Sequence, residues 1–147
     1  MRRTVHRVPD PESMTTLGEE VAVRLRAGDV VLVTGPLGAG KTTFTRGVAR
    51  GLDVVGPVTS PTFVIAREHD SQTDGPRLVH VDAYRLGGLA ELDDLDLETS
   101  LTDAVTVVEW GGGLVEHLDA PLVSVTIDRD AEGDERTVVV QWPERGP

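Results

Sequence analysis

The sequence predicts an α/β domain built on a mixed sheet of about seven strands, parallel in its middle and antiparallel at its edges. Three observations carry that expectation. Asp29-Val30-Val31-Leu32-Val33-Thr34 is a short, continuous β-branched run of the kind found in strands covered on both faces. It enters a glycine-rich turn, after which Phe44, Val48 and Leu52 recur at four-residue spacing, the mark of one helical face. Near the C-terminus, Leu122 to Asp128 and Arg136 to Trp142 alternate around Glu132-Gly133-Asp134-Glu135, which reads as an antiparallel hairpin.

The remaining elements follow in order. Thr4 to Val8 alternates weakly and fits a leading strand. Thr16, with Glu19 three residues on, is a cap candidate for a first helix whose apolar face is Leu17, Val21 and Leu25, with Gly28 closing the segment. In the second helix Gly51 marks the expected end. Gly56 to Pro61 is a loop, and Thr62 to Ala66 and Leu78 to Asp82 read as strands of a hairpin joined through Asp74-Gly75-Pro76. Gly88 to Asp103 mixes leucine and acid at helical spacing without strong caps and predicts short helices or turns. Val105 to Glu109 is a buried-type strand ending in a carboxylate, and Gly111-Gly112-Gly113 forces a loop. No internal repeat is evident, and 147 residues predict one domain, 1–147.

Composition removes several function classes. With no cysteine, neither disulfides nor thiolate metal sites are available. The start Met1-Arg2-Arg3-Thr4-Val5-His6 lacks the apolar stretch of a secretion signal, and no apolar run approaches a membrane span, so a cytoplasmic protein with no membrane partner is expected. A net charge of −11 argues against direct, phosphate-led binding of nucleic acid. The acidic stretch Glu91, Asp93, Asp94, Asp96, Glu98 and Asp103 is read as a solvated helical face, with a docking surface for a basic partner as the sharper alternative.

The chemistry begins at Lys41, the chain's only lysine. It stands in Gly35-Pro36-Leu37-Gly38-Ala39-Gly40-Lys41-Thr42, which fits the phosphate-binding pattern G-x-x-x-x-G-K-[ST] at every fixed position. A strand before it and a helix after it are the context that such a loop needs, because phosphates are held by successive amides and the positive end of the helix dipole. The expected architecture is therefore a P-loop NTPase-like, three-layer fold. Gly35, Gly38 and Gly40 permit close phosphate approach beside Ala39, Lys41 neutralises the terminal phosphates, and the Thr42 hydroxyl ligates Mg²⁺. Thr43 either reaches the α-phosphate or is an ordinary first-turn residue.

Phosphoryl transfer also needs a carboxylate for the metal and a group that orients the attacking oxygen. Asp82 and Glu109 each end an apolar strand, and one can serve each purpose. His80 shares the strand face of Asp82, so it either orients that carboxylate or is a satisfied buried histidine. His6, His69 and His117 show no ligand spacing. Trp110 is either a core aromatic or a flat surface near the nucleotide. Ser60-Pro61-Thr62 lies where nucleotide switches often sit, or is a plain proline turn.

Gly38-Ala39-Gly40-Lys41-Thr42-Thr43-Phe44, Ser60-Pro61-Thr62-Phe63, His80-Val81-Asp82-Ala83-Tyr84-Arg85-Leu86 and Val108-Glu109-Trp110, in this order, resemble the motifs of the TsaE family, bacterial ATPases needed for threonylcarbamoyl modification of adenosine in tRNA. The phosphate loop alone is unspecific; the His-x-Asp-x-Tyr-Arg-Leu and Glu-Trp elements are the diagnostic ones. The resemblance implies ATP hydrolysis in concert with TsaB and TsaD, with tRNA contacted only indirectly. By position it implies that Gly38 to Thr43 bind ATP, Thr42 and Glu109 hold Mg²⁺, Asp82 supports hydrolysis, Ser60 and Thr62 form the switch, and Trp110 lies beside the nucleotide. Two places depart from the family pattern. Met14 stands where many members have a threonine, and Gly111-Gly112 follows Glu-Trp where an acid or amide is common. Arg136 matches a C-terminal arginine only loosely.

A small-molecule kinase is the alternative enzyme, since it needs the same loop and carboxylate, together with an acceptor pocket and a lid. A regulatory GTPase would need a second lysine in its base-reading motif. A nucleotide-binding assembly protein with little turnover is the third class.

Overall fold

The computed structural model describes residues 2–36, 39–54, 66–82, 103–109, 121–128 and 135–143, with the backbone alone for 66–68 and 82. Its elements are β1 (Arg2–Val8), α1 (Pro11–Ala22), β2 (Val30–Thr34), α2 (Lys41–Leu52), β3 (Ala66–His69), β4 (Arg77–Asp82), β5 (Ala104–Glu109), β6 (Leu122–Asp128) and β7 (Arg136–Trp142). They form an α/β fold on one seven-stranded sheet in the order β1-β7-β6-β2-β5-β4-β3. The inner strands β6, β2, β5 and β4 are parallel, and β7, β1 and β3 join antiparallel.

Residue type explains this division. β5 is buried along its whole length, and β2 up to Val33, so neither alternates polar and apolar residues; β6 and β7 alternate strictly. Leu17 and Val21 of α1 and Phe44, Val48 and Leu52 of α2 share a core with Val31, Val33, Val105, Val107, Val123 and Val125, which places both helices on one face. The opposite face, with Val30, Leu32, Val79, Val81 and Val108, is buried as well. The third layer expected from the sequence, including the segment 88–102, lies outside the described residues, as does 62–65 of the expected Thr62–Ala66 strand. No described helix is long and apolar enough to cross a membrane.

Both helices differ from the sequence expectation, and α1 stops at Ala22, short of the expected Leu25 and Gly28. Helix α1 starts at Pro11, not Thr16: the Asp10 carboxylate accepts from the Ser13 amide at 2.7 Å and Pro11 supplies a preset first residue. That amide, helped by the Ser13 side chain, holds the Asp10 carboxyl below its ordinary value. Thr16 lies inside the helix and donates to the Glu12 carbonyl at 3.1 Å. Helix α2 does not stop at Gly51 but at Leu52, with Asp53 in the left-handed conformation at φ 54°.

Gly51 serves packing instead. A Cβ there would lie 2.6 Å from the Cβ of Ala22, one on Gly18 would lie 2.3 Å from the Phe44 carbonyl oxygen, and one on Gly47 would lie 2.1 Å from the Thr15 carbonyl oxygen. Three glycines thus let the two helix backbones touch. Gly47→Ala gains about 1 kcal/mol of helix propensity but drives a methyl into backbone that cannot rotate away. Its expected net effect is a loss of about 1–3 kcal/mol, read as a lower urea midpoint with an unchanged m-value; an unaltered midpoint would show that the helices separate freely.

Candidate functional site

Parallel strands deliver their C-terminal ends to one edge, and here that edge carries the polar groups. Val33 is in register with Glu109, and Glu109 with Asp82, so the strand entering the glycine-rich loop and both strand-end acids meet side by side. The loop leaves β2 at Gly35 and reaches α2 through Gly40, whose φ of 110° only glycine adopts without strain. The Phe44 amide bonds to the Gly40 carbonyl at 2.9 Å, which closes the first helical turn and leaves the N-terminal amides of α2 facing the loop.

Lys41 is buried, and its Nζ donates to the carbonyls of Gly35 at 2.8 Å and Pro36 at 2.9 Å. Next to it, the Thr42 hydroxyl donates to Glu109 Oε1 at 3.4 Å. The other carboxylate oxygen, Oε2, accepts a short hydrogen bond from His80 Nε2. A carboxylate accepts and does not donate, so Nε2 carries the hydrogen in this contact. Only 4% of Glu109 and none of His80 is exposed. This carboxylate thus has one oxygen turned to the sheet and one to the loop.

Beside the loop is a cavity of about 210 Å³ lined by Asp10, Pro11, Met14, Ala39, Gly40, Thr43 and Arg136. Thr43 therefore faces a space large enough to receive part of a ligand. Met14 forms the wall opposite Gly40, where a Cβ would come within 3.3 Å of its methyl. Arg136, the first residue of β7, reaches across and donates from Nε to the Ala39 carbonyl at 3.1 Å.

The family model for the threonylcarbamoyl adenosine biosynthesis protein TsaE matches residues 8–138. The chain belongs to the TsaE family. It is 62% identical over 122 residues to the tRNA threonylcarbamoyladenosine biosynthesis protein TsaE of Streptomyces coelicolor, covering 82% of each chain. It is 49% identical over 142 residues to that of Mycobacterium tuberculosis, covering 92% of this chain and 84% of the relative. The crystal structure of Bacillus subtilis YdiB superposes with a TM-score of 0.75 at 33% identity, covering 97% of this chain and 87% of that one.

Within this TsaE-family chain, the structure brings Gly35, Ala39, Gly40, Lys41, Thr42, Thr43 and Glu109 together. Asp82 ends β4 beside Glu109 in register. Gly38, Ser60, Thr62 and Trp110 lie outside the described residues. His80 is buried, as its second reading has it, and its partner is Glu109, which neither reading named, because the strand register places it diagonally across from Glu109 on the same face. Sequence reasoning missed Asp10 as a lining residue, and only the cap pattern Asp-Pro could have brought the helix start to the loop. Arg136, loosely aligned before, acquires a defined partner.

Replacing Arg136 with Met keeps the aliphatic stem and removes the charged donor from the Ala39 carbonyl. The expected loss is about 1.5–3 kcal/mol, with faster amide hydrogen exchange at residues 39–43 than in the parent; unchanged protection there would separate Arg136 from the loop.

Proposed function

We propose that this chain binds ATP with Mg²⁺ and hydrolyses it in support of threonylcarbamoyladenosine formation in tRNA, acting with TsaB and TsaD. The observation that carries the reading is the approach of the Thr42 hydroxyl to Glu109 at the mouth of the loop, 3.4 Å apart. Mg²⁺ takes oxygen ligands, few of them from protein, and completes its shell with phosphate oxygens and water. A hydroxyl and one carboxylate oxygen are that donor set, so the residues present fit the ion. When bound, Mg²⁺ supplies charge neutralisation at the β- and γ-phosphates.

The protein's own groups do the rest. The amides that open α2 receive phosphate oxygens, and Lys41 exchanges the carbonyls of Gly35 and Pro36 for the terminal phosphates, a partner of higher charge. Thr43 meets the α-phosphate from the cavity side, and the cavity holds part of the nucleoside. Asp82 orients the attacking water from the strand next to Glu109, with Ser60 and Thr62 as the switch and Trp110 against the nucleotide. The net charge of −11 suits an accessory ATPase in the cytoplasm that leaves contact with tRNA to its partners.

Lys41→Ala is expected to lower ATP turnover by about a hundredfold or more, measured as phosphate release; wild-type turnover in that variant defeats the assignment of the site. Purified TsaB and TsaD are expected to raise the wild-type rate. Partners that neither bind nor stimulate remove them from the reading, and release that depends on an added small-molecule acceptor instead favours the kinase.

A further inference from the structure

We propose that His80 is a positioning residue for Glu109, fixing the carboxylate so that Oε1 alone is presented to the metal side of the loop; this rests on the nucleotide reading above. A glutamate has three rotatable side-chain bonds, and each must be fixed for its carboxylate to present one defined side. Here Oε2 is held by His80 and Oε1 lies beside the Thr42 hydroxyl. The carboxylate plane is thereby set from two sides.

The ring is suited to this one task. His80 is fully buried at the middle of β4, in register with Val107 of β5 and Arg67 of β3, and a side chain on an inner strand has little freedom to follow a moving partner. Its Nδ1 is buried and has no hydrogen-bond partner among the described residues. A histidine kept for a structural network would be expected to satisfy both nitrogens. This one makes its polar contact at Glu109, and its fixed place on β4 determines which side of the carboxylate is occupied. Groups that orient metal ligands in this way typically alter metal affinity tenfold to a hundredfold when removed.

Two experiments test the idea. The first uses the wild-type protein without nucleotide: with ¹⁵N-labelled histidine, and with His80→Gln to assign the signal among the chain's four histidines, the imidazole shifts are expected to show hydrogen on Nε2. An Nε2 that carries no hydrogen overturns the proposal. The second measures binding of a fluorescent ATP analogue in Mg²⁺ and in EDTA. His80→Leu is expected to weaken the Mg²⁺-dependent part by about tenfold to a hundredfold and to leave affinity in EDTA within about twofold, as a group acting only through the metal ligand should.

His80→Gln, whose Nε2 can reach the position of the imidazole Nε2, is expected to recover at least half of that loss on a logarithmic scale, and His80→Asn, which is too short, is not. Should the leucine variant not fold, the asparagine variant takes its place. Wild-type Mg²⁺ dependence without the imidazole, an equal loss in Mg²⁺ and EDTA, or no recovery with Gln each overturn the inference. Wild-type protein that binds no nucleotide defeats the proposed function and the metal half of this inference together, whereas the tautomer result still decides the hydrogen bond.

Discussion

Glu109 is a carboxylate that the fold has taken almost entirely out of water, and the arrangement around it follows from that fact. An ionised group so placed costs several kcal/mol unless donors meet it. Among the described residues two do: His80 from β4 and Thr42 from α2. The contacts tie the register of β4 on β5 to the position at which α2 begins. A slip of one residue in β5 would turn Glu109 to the opposite face, with Val30, Leu32 and Val81, away from His80. Strand register and site geometry are therefore one constraint.

The second constraint is where α2 lies above the sheet. Its start is aimed at Glu109 because its other side rests on α1 at backbone contact through Gly18, Gly47 and Gly51. Larger residues would move the helices apart, and at four-residue separation along α2 any tilt large enough to relieve Gly47 would also displace Thr43. Asp10, Pro11 and Met14 at the beginning of α1 line the cavity beside the loop. Packing on one helix sets the width of the space that the other opens onto.

Much of this was legible in the chain. The β-branched run before the loop, the carboxylate-ended strands and the terminal hairpin gave strands close to those observed, because their patterns reflect burial on two faces or on one. The loop was legible because its spacing encodes backbone geometry. What misled were signals with two causes. Thr16 and Glu19 looked like a capping pair, but the same residues sit comfortably inside a helix once Asp10-Pro11 has begun it. Gly51 looked like a terminator, since a glycine that ends a helix and one that admits a neighbouring helix are identical in sequence. The bond between His80 and Glu109 depends on register between strands twenty residues apart and more, which no local pattern states.

The C-terminal hairpin belongs to the site as well as to the sheet. Arg136 opens β7 in register with Val8 of β1, and its guanidinium reaches the Ala39 carbonyl in the phosphate loop. Two contacts lie near it, and their worth differs. The ion pair between Arg7 and Glu135 is exposed on both sides, at 78% and 52%, and such pairs contribute about 0–1 kcal/mol. Arg136 is 9% exposed and donates to a backbone group that would otherwise have to find another partner. The placement of Arg136 is therefore dictated by the β1–β7 ladder and its own burial, with the surface pair a minor addition. A strand pair at the far edge of the sheet thus fixes the carbonyl two residues before Lys41, and the loop is held from β7 on one side and from Lys41 on the other.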